Sequence, residues 1–94
     1  MDTGKDLKSI TVVGAGGNIG SHLVPHLGRM PGIDRITLVD GDIYEKRNLT
    51  SQDILPDDIG QSKAHVQARR LRTINPNLHV IPVGFEFLFE FFVR

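Results

Sequence analysis

Residues 10–21 read ITVVGAGGNIGS, and residues 35–40 read RITLVD. An apolar-periodic segment joins them, so a β-rich run, a glycine cluster, a helix and a second β-rich run follow in order. This order predicts the first βαβ unit of a nucleotide-binding α/β domain. Glycines let the backbone turn tightly close to a phosphate, and the helix that follows directs free N–H groups at the anion.

The glycine spacing itself is unusual. Gly14, Gly16 and Gly20 give G-x-G-x-x-x-G, one residue longer than the usual dinucleotide fingerprint. A tight turn into a buried helix, with no ligand, is the alternative interpretation. Asp40 favours a ligand site, because a carboxylate at the carboxyl end of the second strand can accept hydrogen bonds from a ribose.

Composition narrows the possible classes of protein. Ninety-four residues make one small domain, and 11 basic residues balance 11 acidic ones, so bulk charge does not favour nucleic acid. The absence of cysteine excludes disulfides, thiolate metal sites and a thiol nucleophile in this sequence. No segment resembles a membrane span or a signal peptide. We therefore expect a cytoplasmic protein with no membrane or nucleic-acid partner.

Periodicity and turn residues predict the element order β-α-β-α-β. The strands are predicted over residues 9–13, 35–40 and 78–83, and the helices over residues 17–29 and 62–75. Right-handed crossovers would give a parallel three-stranded sheet of order 3-2-1, with both helices on one face. The fold class is thus α/β, a truncated Rossmann-like half-domain over residues 1–83.

Helical spacing predicts a buried stripe on each helix. The predicted stripe of the first helix comprises Ile19, Leu23, Leu27 and Met30. The predicted stripe of the second helix, with Ser62 as N-cap, comprises Ala64, Ala68, Leu71 and Asn75. His22 and His26 lie four apart, but with no third ligand nearby we interpret them as exposed helix residues.

Residues 84–94 form a separate tail that contains all five phenylalanines of the chain. Phe85, Phe87, Phe89 and Phe91 alternate with other residues, and a period of two predicts an extra C-terminal strand with an aromatic face. A helix is the alternative.

Several separated motifs then point to one family. In order they are VGAGG at 13–17, LVDGD at 38–42, NL at 48–49, Gln52, DIG at 58–60, KA at 63–64 and INP at 74–76. In these residues the chain resembles the ubiquitin-activating-enzyme superfamily, the MoeB/ThiF/HesA group of adenylating enzymes. The resemblance covers roughly residues 9–83.

This resemblance implies binding of ATP with Mg²⁺ and adenylation of the C-terminus of a ubiquitin-like or sulfur-carrier protein. It implies no catalytic side chain and no protein metal ligand in this chain. The residues that it places around the nucleotide are Gly14, Gly16 and Gly20 under the phosphates, Asp40 on the ribose, Asp42 and Asn48 near sugar and phosphates, Gln52 in the same loop, and Lys63 on the phosphates.

The chain departs from the family pattern in three ways. Ser51 stands where the family has an arginine, the glycine loop has one extra residue, and the sequence stops after about the third strand. We therefore expect the ATP-binding part of such an enzyme, inactive alone. The alternatives are a non-catalytic interaction module that kept the fold and an NAD-binding half-domain of a dehydrogenase.

The predicted strands are apolar on both faces, while the predicted helices cover one face. Open apolar faces and edges invite association. We therefore expect a homodimer or higher oligomer through the uncovered sheet face, with the phenylalanine tail at or near the contact.

Overall fold

The computed structural model describes residues 8–84, which form an α/β unit. The elements in chain order are β1 (Lys8–Val13), α1 (Gly20–Gly28), β2 (Ile33–Val39), α2 (Lys63–Ile74) and β3 (His79–Val83). Two short 3₁₀ turns, Lys46–Thr50 and Pro56–Asp58, lie between β2 and α2. The element order β-α-β-α-β is therefore confirmed.

The three strands form one parallel sheet with β2 in the centre. This is the predicted order. Val39 of β2 lies between Val13 of β1 and Val83 of β3 in the register, so the strands end together. The segments that leave these carboxyl ends are therefore brought to one edge of the sheet, where open α/β sheets bind ligands.

The core lies between the sheet and the two helices. Ile36 and Leu38 of β2 are fully buried, and α2 packs on β2 and β3. The buried core cluster comprises Ala15, Val24, Ile36, Leu38, Ala68, Leu71, Leu78 and Val80. Because the helical residues in this cluster meet the same side of the strands, both helices cover one face of the sheet, as predicted.

The predicted buried stripe of α1 is wrong. Ile19 is 82% exposed and Met30 is 51% exposed, and Leu27 packs only partly on the core. The helix begins at Gly20, not at residue 17, and buries mainly small side chains: Gly20, Ser21, Val24 and Gly28. Hydrophobic spacing identified a helix here, but not the face that turns inward.

Close packing of two helices explains this difference. A Cβ atom at Gly28 would lie only 2.8 Å from Leu71 Cδ2 of α2. Small residues allow such an approach, and at Gly28 there is no space for a larger side chain. The small-residue face of α1 therefore turns towards α2, and Leu23 and Met30 are left at the surface.

The face of α2 is close to the prediction but wider. Ala64, Ala68 and Leu71 are fully buried, while Asn75 lies beyond the helix as its C-cap. Ser62 is the N-cap, as predicted, and its Oγ accepts a hydrogen bond from His65 N at 3.5 Å. Helix α2 also buries the polar residue Gln67 completely, which the apolar pattern did not indicate.

The predicted strand limits differ slightly from the structure, since β2 ends one residue before Asp40 and β3 begins after Leu78. Within residues 8–84, no helix is long and apolar enough to cross a bilayer. The prediction for the phenylalanine tail concerns residues outside the described part of the chain.

Candidate nucleotide site

The segment between β1 and α1 folds back against the end of β2. Gly14 N and Ala15 N both donate to Val39 O, at 2.7 and 3.2 Å, and Gly17 N donates to Gly14 O at 3.0 Å. We call residues 14–20 the glycine loop. Its first turn is thus fixed by backbone hydrogen bonds to the central strand.

Two glycines of this loop are required by close contacts within the chain. A Cβ atom at Gly16 would lie 2.5 Å from Lys63 Cβ and 2.6 Å from the Tyr44 hydroxyl oxygen. A Cβ atom at Gly20 would overlap the carbonyl oxygen of Gly14. The extra residue in the spacing therefore still places both glycines where no side chain fits.

Three consecutive N–H groups of the glycine loop are free to bind a ligand. Within residues 8–84, the N–H groups of Asn18, Ile19 and Gly20 donate to no acceptor, whereas Ser21 N donates to Gly17 O at 2.9 Å. The free groups lie at the N-terminus of α1, where the helix dipole is positive. This arrangement suits a phosphate or another anion.

Asp40 joins this loop to the segment that follows β2. Its Oδ2 accepts a hydrogen bond from Gly16 N at 2.9 Å, and its Oδ1 accepts one from Asp42 N at 3.0 Å. Asp40 is buried, with 8% exposure. Each carboxylate oxygen can accept a further hydrogen bond, so Asp40 can organise the loop and still bind a hydroxyl group.

Lys63 supplies a cation beside the glycine loop. It is the first residue of α2 and is buried, and its backbone N donates to Asp42 O at 3.0 Å. Its Nζ lies 5.4 Å from the centre of the Tyr44 ring. Within residues 8–84, no ion pair engages this ammonium group. Its charge is therefore available to an anion.

Gln52 reaches the glycine loop, whereas Asn48 does not. Ser51 Oγ and Gln52 Nε2 both donate to Asn18 Oδ1, each at 3.0 Å. Gln52 Oε1 is buried and has no hydrogen-bond partner within residues 8–84. Asn48 Oδ1 instead accepts a hydrogen bond from Glu45 N at 2.8 Å, within its own 3₁₀ turn. Ser51, at the arginine position of the family pattern, is thus a direct partner of Asn18 in the glycine loop.

Sequence reasoning missed two buried residues under the glycine loop. Tyr44 is 1% exposed and its hydroxyl donates to Gly16 O at 2.8 Å. Gln67 Nε2 donates to that same hydroxyl at 2.7 Å. No periodicity indicated this pair, because Tyr44 lies in an irregular segment and Gln67 looks like a polar surface position of a helix.

The eight residues expected around a nucleotide therefore divide into groups. Gly14, Gly16, Gly20, Asp40, Asp42 and Lys63 meet at the carboxyl edge of the sheet, and Gln52 contacts it through Asn18. None of them lines the cavity of about 570 Å³ between residues 53–58 and α2. Within residues 8–84, no cluster of three His, Asp or Glu side chains could hold a metal ion.

The environment of Tyr44 changes its acid–base chemistry. Burial disfavours the charged phenolate and raises the pKa of Tyr44 from 10.0 to about 12, although the hydrogen bond from Gln67 acts in the opposite direction. The hydroxyl therefore stays protonated, and able to donate to Gly16 O, throughout the ordinary pH range.

Tyr44 is the single tyrosine of a chain without tryptophan, so phenolate absorbance reports on it alone. We expect a native titration midpoint of about 12, returning to the model-peptide value of about 10 in denaturant. Because the native state holds the proton more tightly, the free energy of unfolding should fall by on the order of 2 kcal/mol between pH 10 and 12. Tyr44→Phe should remove this part of the pH dependence. A native midpoint near that of the unfolded chain would contradict the expectation.

Comparison with known proteins identifies the family. The model of the ThiF family matches residues 5–88. The SAMP-activating enzyme E1 of Haloferax volcanii is 37% identical over 75 residues, which are 79% of this chain and 27% of that protein. The tRNA threonylcarbamoyladenosine dehydratase of Escherichia coli is 44% identical over 75 residues, again 79% of this chain and 27% of the relative.

Solved structures also match this chain, both in fold and in sequence. The crystal structure of Escherichia coli MccB with ATP has a TM-score of 0.71 and 35% identity, over 78% of this chain and 21% of that one. Escherichia coli TcdA in complex with ATP has the same TM-score and 42% identity, over 78% of this chain and 30% of that one. The chain thus spans about a quarter or less of the length of most curated relatives it matches. With its parallel sheet, its glycine loop and this match along most of its sequence, the chain belongs to the ThiF family.

Proposed function

We propose that this chain is the ATP-binding part of an enzyme that adenylates the C-terminus of a ubiquitin-like or sulfur-carrier protein. The observation that carries the proposal is the convergence at one sheet edge of the Lys63 ammonium, the Asp40 carboxylate and three N–H groups that have no acceptor within residues 8–84. Relatives named as a SAMP-activating enzyme and a probable molybdopterin-synthase adenylyltransferase support the reaction class.

Each group has a distinct task in this proposal. Asp40 accepts hydrogen bonds from the ribose, while the N–H groups of residues 18–20 and Lys63 hold the phosphates. Attack of a carboxylate on the α-phosphate brings anions together, and fixed donors lower the free energy of that arrangement. The exposed carboxylate of Asp42 stands near the same edge.

The first test is nucleotide binding by calorimetry. We expect ATP with Mg²⁺ to bind and NAD not to bind, since a site for NAD alone gives no role to Lys63. Asp40→Ala should weaken ATP binding by about 1.5–3 kcal/mol, the usual range for a hydrogen bond to a charged group. Asp34→Ala is the matched control, because it removes an exposed carboxylate near the start of β2, the strand that Asp40 directly follows. Equal ATP binding by the parent and Asp40→Ala would show that the ribose assignment is wrong.

A second inference is that the chain does not adenylate a carrier protein by itself. Ser51, where the family has an arginine, offers a neutral hydroxyl that is already bonded to Asn18. A neutral group stabilises the developing phosphate charge less than a guanidinium does. We expect no ATP–pyrophosphate exchange by the 94-residue chain with candidate carrier proteins, although it binds ATP. Robust exchange would contradict this inference. ATP binding without exchange would also fit an interaction module that kept the fold.

A third inference is that the chain self-associates through the sheet face opposite the helices. The register places Val13, Val39 and Val83 in one row on that face, and Val13 is 79% exposed. Hiding such apolar surface between two copies is favourable by about 25 cal/mol per Å² before association costs. Sedimentation at micromolar concentration should show a homodimer or higher oligomer, and Val13→Asp should shift it towards the monomer. A folded 10.4 kDa species for the parent chain would overturn this inference.

A further inference from the structure

Both backbone polar groups of Gly16 are held by buried side chains. Its N–H donates to Asp40 Oδ2 at 2.9 Å, and its carbonyl oxygen accepts the Tyr44 hydroxyl at 2.8 Å. The peptide group that contains the Gly16 carbonyl also contains Gly17 N, which donates to Gly14 O at 3.0 Å. Because a peptide group is planar, bonds at both ends fix its orientation.

This fixed peptide lies directly before the free donors of the glycine loop. The next peptide group joins Gly17 O to Asn18 N, and Gly17 O accepts a hydrogen bond from Ser21 N at 2.9 Å. In a trans peptide the N–H group points away from the carbonyl oxygen. The N–H group of Asn18 therefore points away from α1, and its direction depends on the peptides held before it.

The Tyr44 hydroxyl is itself held by a chain of hydrogen bonds that runs from buried Gln67 to the partly exposed Arg70. Gln67 Nε2 donates to it at 2.7 Å, and Gln67 Oε1 accepts from Arg70 Nη1 at 2.7 Å. The Arg70 guanidinium also donates to Ser21 O at 3.0 Å and forms an ion pair with Asp53 at 2.7 Å. Tyr44 and Gln67 are 1% and 0% exposed, so water does not compete for the hydrogen bond between them, whereas the Arg70 and Asp53 side chains are partly exposed. We call the series Arg70–Gln67–Tyr44 the relay.

We propose that Tyr44 and Gln67 are positioning residues for the phosphates of the nucleotide, acting through the Gly16 carbonyl. The proposal rests on the ATP-binding function argued above. Neither side chain contacts the free N–H groups. Their effect is to fix the loop before a ligand arrives, so that binding does not have to offset the conformational entropy lost when a mobile loop becomes ordered. A buried, satisfied polar network suits this task because it defines one arrangement and rejects others.

The raised pKa of Tyr44 is consistent with this role, since a phenolate could not donate to the Gly16 carbonyl. The main prediction concerns a difference between two ligands. Tyr44→Phe removes one hydroxyl and leaves the ring, so ATP binding should weaken roughly tenfold, the loss expected for one hydrogen bond. Binding of adenosine, which has no phosphate, should stay within about twofold, the change expected where no such bond is lost.

Two further variants isolate the relay. Gln67→Met keeps the length of the side chain but removes the donor to Tyr44, and it should also weaken ATP more than adenosine. Because the two residues act in series, the double variant should bind ATP about as well as Tyr44→Phe alone. Val80→Ala is the control: it truncates a core residue of β3 that is 5% exposed and belongs to no part of the relay. It should lower stability without changing the ratio of the two affinities.

Amide hydrogen exchange of the ligand-free chain gives a readout independent of nucleotide. The Gly16 and Gly17 amides should exchange faster in Tyr44→Phe than in the parent chain. They should not exchange faster in Val80→Ala when it is compared under conditions where its free energy of unfolding equals that of Tyr44→Phe. Unchanged exchange, or equal losses of ATP and adenosine binding, would overturn the relay while leaving the ATP site standing. Failure of the parent chain to bind ATP would overturn the nucleotide function and, with it, the phosphate role of the relay.

Discussion

The Asp40 carboxylate connects the parts of the site that come from different strands. Its two oxygens accept Gly16 N from the segment after β1 and Asp42 N from the segment after β2. An ionised carboxylate forms stronger hydrogen bonds than a neutral acceptor does, and burial of Asp40 keeps water from replacing these donors. The direction of the glycine loop therefore depends on a residue that would also contact the ribose. One buried side chain thus holds together the glycine loop and the segment that follows β2.

Two glycines of the site are explained by the packing of the chain on itself. Gly16 lies against Lys63 and the Tyr44 hydroxyl, and Gly20 lies against the Gly14 carbonyl, with no ligand involved. A glycine-rich turn is therefore evidence of close backbone packing, and it is not by itself evidence of a bound phosphate. What distinguishes this loop from a plain tight turn is that the N–H groups of residues 18–20 donate to no acceptor within residues 8–84, beside the cation of Lys63. This distinction matters for any sequence in which glycine spacing is the main evidence for a nucleotide.

The structure also shows a connection between two departures from the family pattern. Asn18 lies in the stretch where the glycine loop gains a residue, and Ser51 stands at the arginine position. Ser51 Oγ and Gln52 Nε2 both donate to Asn18 Oδ1. The two loops are thus held together at this point by hydrogen bonds between uncharged side chains. At this position the chain therefore presents a neutral hydroxyl, hydrogen-bonded to Asn18, instead of a cation.

The sequence by itself determined the element order, the parallel sheet and most of the residues at its carboxyl edge. The element order and the sheet follow from local patterns: β-rich runs, glycine turns and helix caps. The glycines and Asp40 follow from their position at strand ends, whereas Asp42, Gln52 and Lys63 were expected from the family resemblance. Only the tertiary structure decided which face of α1 is buried, because small residues such as Gly28 permit close approach to Leu71 and the large apolar ones do not. It alone also decided that Tyr44 and Gln67 meet under Gly16. Gln67 lies 23 positions from Tyr44 in the chain, and Tyr44 lies 28 positions from Gly16. The groups that meet are polar, and no periodic pattern indicates that they are buried.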